Sequence, residues 1–354
     1  MSLLRKGTIT RRGSRAWLSG FKYRKSHVIN GTTAGAQSNY PLRIVVHKGS
    51  GSDSGEDVYC NNNCRDDFGD IRFTKANKSS KLDYWLQTKV DGDYAVFWVE
   101  TDEIPASPKT TIIYIYYGRA TATSESNGKA TFLDFDDFDD NVLDSGWIVD
   151  VASANETVAE VNQEIAFTHR KDAYCHIERD VNLPANLAVM VKLKTDGAYS
   201  EAVLPVAVGL YFGLYHWTAW KLVNGAGYSY DLLRHQDYGG GVSGDITGEW
   251  FDNVYIWLRI RHTTSRTYWD YSTDGKTWVA AFSLARSYTP LWTTIQKVII
   301  GHGREISASS YPNPDWDNSY TTLGTSFTSH ADEYVLMKHV TPEPTHGEWG
   351  SEEY

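Results

Sequence analysis

The feature that most constrains this chain is a period-two alternation of apolar and polar residues. Alternation places successive side chains on opposite sides of a pleated strand, so it predicts strands with one buried face. Helical periodicity over ten residues or more is not evident, and an aromatic content of 14% also favours strands. The clearest stretches are Leu42, Ile44 and Val46; Ile112, Tyr114 and Tyr116; Leu187, Val189, Val191 and Leu193; and Val254, Ile256, Leu258 and Ile260. The sequence therefore predicts an all-β fold.

A chain of 354 residues is long enough for two domains. The stretch from 119 to 131 is polar and has the composition of a linker. We predict two β-sandwich domains of the jelly-roll type, preceded by an extended basic N-terminal arm. The predicted parts are the arm at 1–20, the first sandwich at 21–131, the second sandwich at 132–340 and an acidic C-terminal tail at 341–354.

Five short blocks in the first part of the chain occur in a recognisable order. They are Phe21 to Lys25, Gly69 to Thr74, Phe97 to Val99, Thr111 to Gly118 and Phe132 to Phe138. In this order they resemble domain of unknown function 2341, over about residues 21 to 138. The resemblance implies a small all-β module of surface and secreted proteins of archaea and bacteria, and of viral proteins. It implies a fold and a setting, but no reaction.

A second set of blocks resembles a concanavalin-like lectin or glucanase jelly roll, over about residues 134 to 340. The blocks are Phe135 to Asp139, Trp257 to Ile260, the hairpin Tyr271 to Trp278 with Asp-Gly at its tip, and Ala331 to Val335. This resemblance implies a β-sandwich in which glycans lie on the concave sheet.

The strand from Val254 to Arg261 carries two different faces. Its apolar face predicts the sandwich interior, and the opposite face combines aromatic rings with guanidinium donors, which suit the CH faces and hydroxyls of sugars. We predict a ligand-binding surface made of Trp217, Tyr255, Trp257, Arg259, Arg261, Trp269 and Tyr271. The alternative is that these aromatics fill the sandwich core or an interface.

Acidic residues cluster where the second sandwich begins. Clustered carboxylates repel one another, and a hard cation such as calcium offsets that cost. The jelly-roll resemblance implies a structural calcium between the first and last strands, so we predict Asp134, Asp136 and Asp332 as its ligands. The alternative is a solvated acidic strand end.

The chain has three cysteines. The spacing of Cys60 and Cys64 is too sparse for a structural zinc site, which needs four ligands. We predict a short-loop disulfide between these two residues, which would suit an oxidising extracellular setting. The open alternative is that the two cysteines are not bonded. Cys175 is predicted as a buried free thiol.

No recognisable catalytic motif is present, so we expect a protein that is not an enzyme. The Glu-x-Asp-x-x-Glu strand of jelly-roll glucanases, the Gly-x-Ser-x-Gly elbow and the His-x-x-x-His spacing on a helix are all missing from the sequence. Two carboxylates at catalytic separation could still come together in the fold. A glycoside-active enzyme with an unrecognised carboxylate pair therefore stays an alternative.

The charge of the chain is uneven. Residues 1 to 52 hold ten Lys or Arg and no acid, whereas the formal net charge of the whole chain is −10. We predict that the arm docks on another copy or on its own chain and supports homo-oligomer assembly. The residues predicted to do so are Arg5, Lys6, Arg11, Arg12 and Arg15. We do not expect nucleic acid as a partner, because the acidic body would repel phosphate.

No apolar run approaches about 18 residues, so no membrane-spanning helix is expected. The N-terminus has no apolar core segment, and a signal peptide is not expected. Together these observations predict a non-catalytic protein of a virion, a cell surface or another extracellular structure, which recognises glycans or mediates adhesion. The alternative from another class is a purely structural homomeric protein of a virion or appendage.

Overall fold

The structure is a computed structural model of the whole chain. It describes residues 17–170, 174–196, 203–213, 216–224, 231–238, 242–250, 254–286, 293–302 and 326–354. The arm residues predicted to support assembly, Arg5, Lys6, Arg11, Arg12 and Arg15, lie outside these ranges. Within the described ranges, no helix has both the length and the apolar character that spanning a membrane requires.

The elements are almost entirely strands, as the alternation predicted. The first eight are β1 (Tyr23–Asn30), β2 (Gln37–His47), β3 (Asp57–Tyr59), β4 (Arg72–Thr74), β5 (Lys81–Leu82), β6 (Tyr84–Val90), β7 (Tyr94–Ile104) and β8 (Thr110–Tyr117). Helix α1 (Gly128–Thr131) follows, and then β9 (Asp134–Asp136), β10 (Ile148–Val151), β11 (Thr157–Val161), β12 (Glu164–Arg170), β13 (Cys175–Pro184), β14 (Leu187–Thr195), β15 (Val203–Gly213) and β16 (His216–Asn224). The last are β17 (Asp231–Tyr238), β18 (Val242–Trp250), β19 (Ile256–His262), β20 (Arg266–Ser272), β21 (Val279–Ala285), β22 (Thr294–His302), β23 (Ser326–Lys338) and β24 (Thr345–Trp349).

The chain divides into two compact units, and the second is inserted within the first. One unit combines Met1–Ser126 with Pro344–Tyr354, and the other is Asn127–Glu343. The boundary after Ser126 falls inside the predicted linker.

The first unit is a sandwich of two sheets. One has the strand order β24-β1-β8-β4-β5, and the other has the order β3-β2-β7-β6. Phe73 on β4 joins the two sheets, because its ring packs edge-on against Phe97 of β7 and Tyr84 of β6, with centroids 5.6 and 5.7 Å apart. Such edge-to-face contacts are a favourable geometry for buried rings.

The second unit is also a two-sheet sandwich, with strand orders β10-β13-β22-β15-β16-β17-β18 and β11-β12-β23-β14-β19-β20-β21, and with β9 paired to β23. Apolar side chains from both sheets form one core. Two fully buried tryptophans connect the sheets reciprocally. Trp220 Nε1 on β16 donates to the backbone oxygen of Asp270 at 2.7 Å, and Trp269 Nε1 on β20 donates to that of Ala219 at 3.0 Å.

The predicted acidic tail is instead part of the first sandwich. Strand β24 pairs with β1, with His27 opposite Trp349. Beyond the strand, the buried Arg24 guanidinium donates to Glu353 at 2.6 Å, and Tyr117 Oη donates to Glu352 at 2.6 Å. Glu353 is held in place because a buried guanidinium needs a counter-ion, and Glu352 is held by the Tyr117 hydroxyl.

The predicted disulfide is absent, because the structure has Cys60 and Cys64 as buried free thiols. Burial, followed by the hydrogen bond to Cys64, raises the pKa of the Cys60 thiol and so favours its protonated form. Cys175 is a buried free thiol, as predicted. It donates to the backbone oxygen of Thr157 at 3.3 Å, and burial raises its pKa to about 12.

We predict that Glu353→Gln destabilises the first sandwich by about 2 kcal/mol, the scale of a hydrogen bond to a charged group. The reason is that the side chain of Arg24 is fully buried and would lose its counter-ion. Urea denaturation of the full chain measures the effect. Glu348→Gln, on the exposed side of β24, is the matched control and should leave stability unchanged. Equal stability of the two variants would contradict the prediction.

A histidine pair lies at the joint between β1 and β24, and His27 is buried whereas His346 is partly exposed. His27 Nε2 and His346 Nδ1 are 2.8 Å apart, and the Trp349 ring stacks on His27 with centroids 3.7 Å apart. Burial, and then the positive charge that His346 could carry, lowers the pKa of His27 from 6.5 to about 3, although a hydrogen bond with the Glu348 backbone opposes the shift.

We predict that the first sandwich loses stability as the pH falls from about 6.5 towards 3. In this window the unfolded chain binds a proton at His27 and the folded chain does not, so the slope reaches about 1.4 kcal/mol per pH unit. Denaturation midpoints measured across this range test it. His27→Gln, which cannot titrate, should flatten the profile, and an unchanged profile in that variant would contradict the assignment to His27.

Candidate functional site

The outer surface of the eight-stranded sheet gathers aromatic and charged side chains on adjacent strands. Ile256, Leu258 and Ile260 of β19 point into the core, so the alternate residues point away from it. Val254 was predicted to point inward, but it precedes the strand and is 44% exposed. We call the opposite surface the β19 face, formed by Glu164, Lys192, Lys194, Tyr255, Trp257, Arg259, Arg261, Tyr268, Asp270, Asp332 and Glu333.

Asp270 is the buried centre of this face. Its side chain is 1% exposed, and it accepts hydrogen bonds from Arg261 at 2.6 and 2.9 Å and from Arg259 at 2.9 Å. Burial alone would raise the pKa of Asp270, but the hydrogen bonds and charges of the two arginines outweigh it and lower the pKa. The carboxylate therefore stays ionised and fixes both guanidinium groups.

The two arginines also lie against rings. The Arg259 guanidinium is 4.1 Å from the centre of the Trp278 ring, and that of Arg261 is 4.6 Å from Tyr268. Cation–π contacts of this kind stabilise a guanidinium without using all of its hydrogen-bond donors. The side chains of Arg259 and Arg261 remain 15% and 19% exposed.

A β-bulge places two successive acids on the same face. Lys192 pairs with Asp332 and Met190 with Val335, so β23 contains one extra residue at this point. Glu333 has φ 52°, in the left-handed region that side-chain-bearing residues rarely adopt. Lys192 Nζ consequently reaches both carboxylates, at 2.7 Å from Asp332 and 3.3 Å from Glu333.

The environment of Glu333 brings its pKa close to neutral pH. Burial raises its pKa to about 7, and Asp332 adds to the shift, whereas Lys192 and a hydrogen bond from Trp257 oppose it. That bond, from Trp257 Nε1 to Glu333 Oε2, is 3.0 Å long and fixes the orientation of the indole ring.

Tyr255 extends the network towards β12. Its hydroxyl donates to Glu164, which also accepts from Lys194 Nζ at 2.9 Å. The ammonium groups of Lys192 and Lys194 lie 4.6 and 4.7 Å from the centre of the Tyr255 ring. The face is thus a continuous set of oriented donors, acceptors and rings on rigid strands.

Three of the seven predicted ligand residues lie elsewhere. Trp269 pairs opposite Ile260 on β19, so the two side chains share a face and Trp269 is fully buried in the core. Tyr271, two residues further along, packs against the same core. Trp217 belongs to the other sheet, where it forms a buried cluster with Tyr211, Ala207, Ala219 and Ile299. The predicted surface was therefore too large.

The structure does not bring the predicted calcium ligands together. Asp134 accepts from Arg179 at 2.7 Å and from the hydroxyl of Tyr334, which points into the core. Asp136 accepts from Trp147 Nε1 at 2.8 Å. Because the bulge turns Asp332 to the outer face, it pairs with Lys192 instead. Within the described ranges, no group of three His, Cys, Asp or Glu side chains could hold a metal ion.

Sequence reasoning did not select Lys192, Lys194 and Glu333. A signal for the lysines was available, because they alternate with Val191 and Leu193 and so had to lie on the face opposite the core. The bulge that places Asp332 and Glu333 on the same face has no such signal, since simple alternation would place one of the two with the buried residues.

Fold and site together define a protein of two β-sandwiches, the inserted one carrying a face of paired charges and rings. Residues 67–150 match the family model described as domain of unknown function (DUF2341). The match contains four of the five blocks on which the resemblance was based, and it begins after the block at Phe21 to Lys25. The comparison with curated proteins found no match.

Several solved structures are similar to this chain. An endo-acting O-glycanase of human gut microbiota, described as initiating mucin breakdown, is 12% identical over 58% of this chain and 99% of its own, with a TM-score of 0.43. The β-glucanase of Bacillus licheniformis is 14% identical over 58% of this chain and 98% of its own, with a TM-score of 0.40. The GH43 protein BlXynB of the same organism is 11–12% identical over 68% of this chain and 47% of its own, with a TM-score of 0.39.

We predict that Asp270→Asn destabilises the inserted sandwich by about 3 kcal/mol, because it leaves two largely buried guanidinium groups without their shared counter-ion. Thermal or urea denaturation of the full chain measures the loss. Asp180→Asn removes a 58% exposed carboxylate 3.8 Å from Lys297 in the same unit, and it should cost less than about 1 kcal/mol. Comparable losses in both variants would contradict the central role of Asp270.

Proposed function

We propose that this is a non-catalytic glycan-recognition protein of a cell surface, virion or other extracellular structure, and that the β19 face binds the sugar. The observation that carries the proposal is the Arg259–Asp270–Arg261 arrangement beside Trp257 and Tyr255. The surface setting rests on the family resemblance. Homo-oligomerisation through the N-terminal arm stays a prediction, since the arm lies outside the described ranges.

The chemistry of the face matches that of sugar hydroxyls. A hydroxyl donates one hydrogen bond and accepts two, so it is satisfied best between a carboxylate and a cation. The face offers such pairs repeatedly, as at Arg261 with Asp270 and at Lys192 with Glu333. Because each partner is already oriented by the other, little side-chain entropy is lost when a ligand binds.

The rings supply the apolar part of recognition. The CH face of a pyranose stacks on an aromatic ring, and Trp257 is fixed in orientation by its bond to Glu333. Lysine ammonium groups lie over the Tyr255 ring, and that of Lys192 also lies 5.2 Å from the centre of the ring of Trp257, which is 8% exposed. We assign stacking to the accessible part of the Trp257 indole and hydrogen bonding to the Tyr255 end of the face.

We predict that the full chain binds glycans on an array. Trp257→Ala and Arg261→Ala should each lower the affinity for the bound glycan about tenfold or more, which corresponds to about 1.4 kcal/mol. Arg65→Ala is the matched control, because it removes another carboxylate-paired arginine from the first sandwich. Circular dichroism confirms folding. An array without any binding, or variants that bind like the original chain, would contradict the proposal.

A second candidate function is glycoside hydrolysis, which would use the carboxylates around Lys192 and Lys194. The pKa of Glu333 is raised to about 7 mainly by burial, whereas hydrogen bonds from Tyr255 and Lys194 outweigh burial and lower that of Glu164. Carboxylates with separated pKa values are typical of acid and base pairs in glycoside hydrolysis. Product analysis after incubation with the array-selected glycan distinguishes hydrolysis from binding alone.

A further inference from the structure

An open groove on the first sandwich lies outside everything assigned above. It has a volume of about 450 Å³ and is lined by Trp17, Phe21, Lys22, Tyr23 and Tyr354. This volume lies within the range of about 300–1,000 Å³ that is usual for small-ligand sites. Four of the five lining residues are aromatic, and the fifth is an exposed lysine.

Three of the rings are fixed by contacts outside the set of lining residues. The Arg24 guanidinium lies 4.2 Å from the centre of the Trp17 ring, and Arg24 is itself held by Glu353. Tyr23 stacks on Tyr117, with centroids 5.7 Å apart and an interplanar angle of 18°. The Phe21 ring contacts Tyr116 edge-on at 6.1 Å. A ligand therefore meets rings that are already oriented, which lowers the entropy cost of binding.

A glycine explains how Tyr23 reaches its position. Gly118 follows β8 and has φ +85°, a left-handed conformation that costs glycine little. A Cβ atom built there would lie 2.5 Å from Cδ2 of Tyr23, so any side chain would displace the ring. Gly118 also ends one of the sequence blocks that resemble the DUF2341 family.

The cations near the groove differ in whether they have acidic partners in the described part of the chain. Among the described residues, neither Lys22 nor Arg119 forms an ion pair with a carboxylate. The Arg119 guanidinium lies 5.7 Å from the centre of the Phe21 ring and donates to the backbone oxygen of Ser19 at 3.4 Å. Arg24 and Arg72, by comparison, are paired with Glu353 and Glu125. Within the described ranges, the groove therefore has one lining cation, Lys22, and a second cation, Arg119, against its Phe21 ring, and neither is paired with a carboxylate.

We propose that this groove is a second ligand site, which takes a pyranose bearing a carboxylate. An open aromatic groove suits a ligand with one apolar face that stacks and one polar face that stays hydrated, as a pyranose ring has. A fully apolar ligand would gain less, because the open side of the groove leaves its other face in water. Lys22 and Arg119 then select the acidic sugar through charge-assisted hydrogen bonds.

Isothermal titration of the full chain with tetragalacturonate tests this, and the methyl-esterified tetramer serves as a probe with the same rings and no charge. We expect tetragalacturonate to bind more tightly than its ester. Lys22→Gln and Arg119→Gln should each weaken binding roughly twofold to fivefold, the scale of one exposed ion pair. Raising the salt concentration should weaken binding to the original chain more than binding to a variant that combines Lys22→Gln with Arg119→Gln.

Further variants make the result specific. Tyr354→Ala removes a lining ring that is 92% exposed and should weaken both the acid and the ester without unfolding the chain. Lys109→Gln, at an exposed lysine elsewhere on the first sandwich, should have no effect. Trp257→Ala on the β19 face should leave tetragalacturonate binding intact, which separates this site from the proposed glycan site. Absence of binding, equal affinity for acid and ester, or unchanged affinity in the Lys22 and Arg119 variants would each overturn the proposal.

Discussion

The reciprocal hydrogen bonds of Trp220 and Trp269 are the interaction on which the inserted sandwich depends. Each indole crosses the core and donates to a backbone oxygen of the opposite sheet. A buried N–H without a partner is costly, so these bonds favour one alignment of the sheets over its neighbours. Because Trp269 points inward, the next residue, Asp270, points outward between Arg259 and Arg261. The order of the outer face thus follows from the packing of the core.

Alternation in the sequence was sufficient to predict the fold class and the inward face of β19. It did not determine which strands are neighbours, and that limit explains most of the misplaced site residues. Trp269 was assigned to the ligand surface although its cross-strand partner is Ile260, and Trp217 was assigned there although it lies in the other sheet. The acids around Lys192 depend on a bulge, which shifts the alternation by one residue and has no reliable sequence signal.

The acidic end of the chain illustrates a different limit. Its composition resembles a solvated tail, but residues 344–354 complete the first sandwich because β24 pairs with β1 and two of its following acids meet buried donors. The partners of these acids, Arg24 and Tyr117, are more than two hundred residues away in sequence. Pairing over such a distance cannot be inferred from local composition. It also means that the first sandwich is complete only after the inserted one has been synthesised.

The two proposed ligand surfaces differ in how their charges are compensated, and this difference determines the ligands they suit. On the β19 face, lysines and arginines are matched by carboxylates, so a charged ligand would have to displace an existing partner. A neutral sugar can instead insert its hydroxyls between the partners and keep them satisfied. At the groove, Lys22 and Arg119 have no carboxylate partner among the described residues, so an anion would not have to displace one. Salt should therefore weaken binding at the groove much more than at the β19 face, because screening acts most strongly on exposed, unpaired charges.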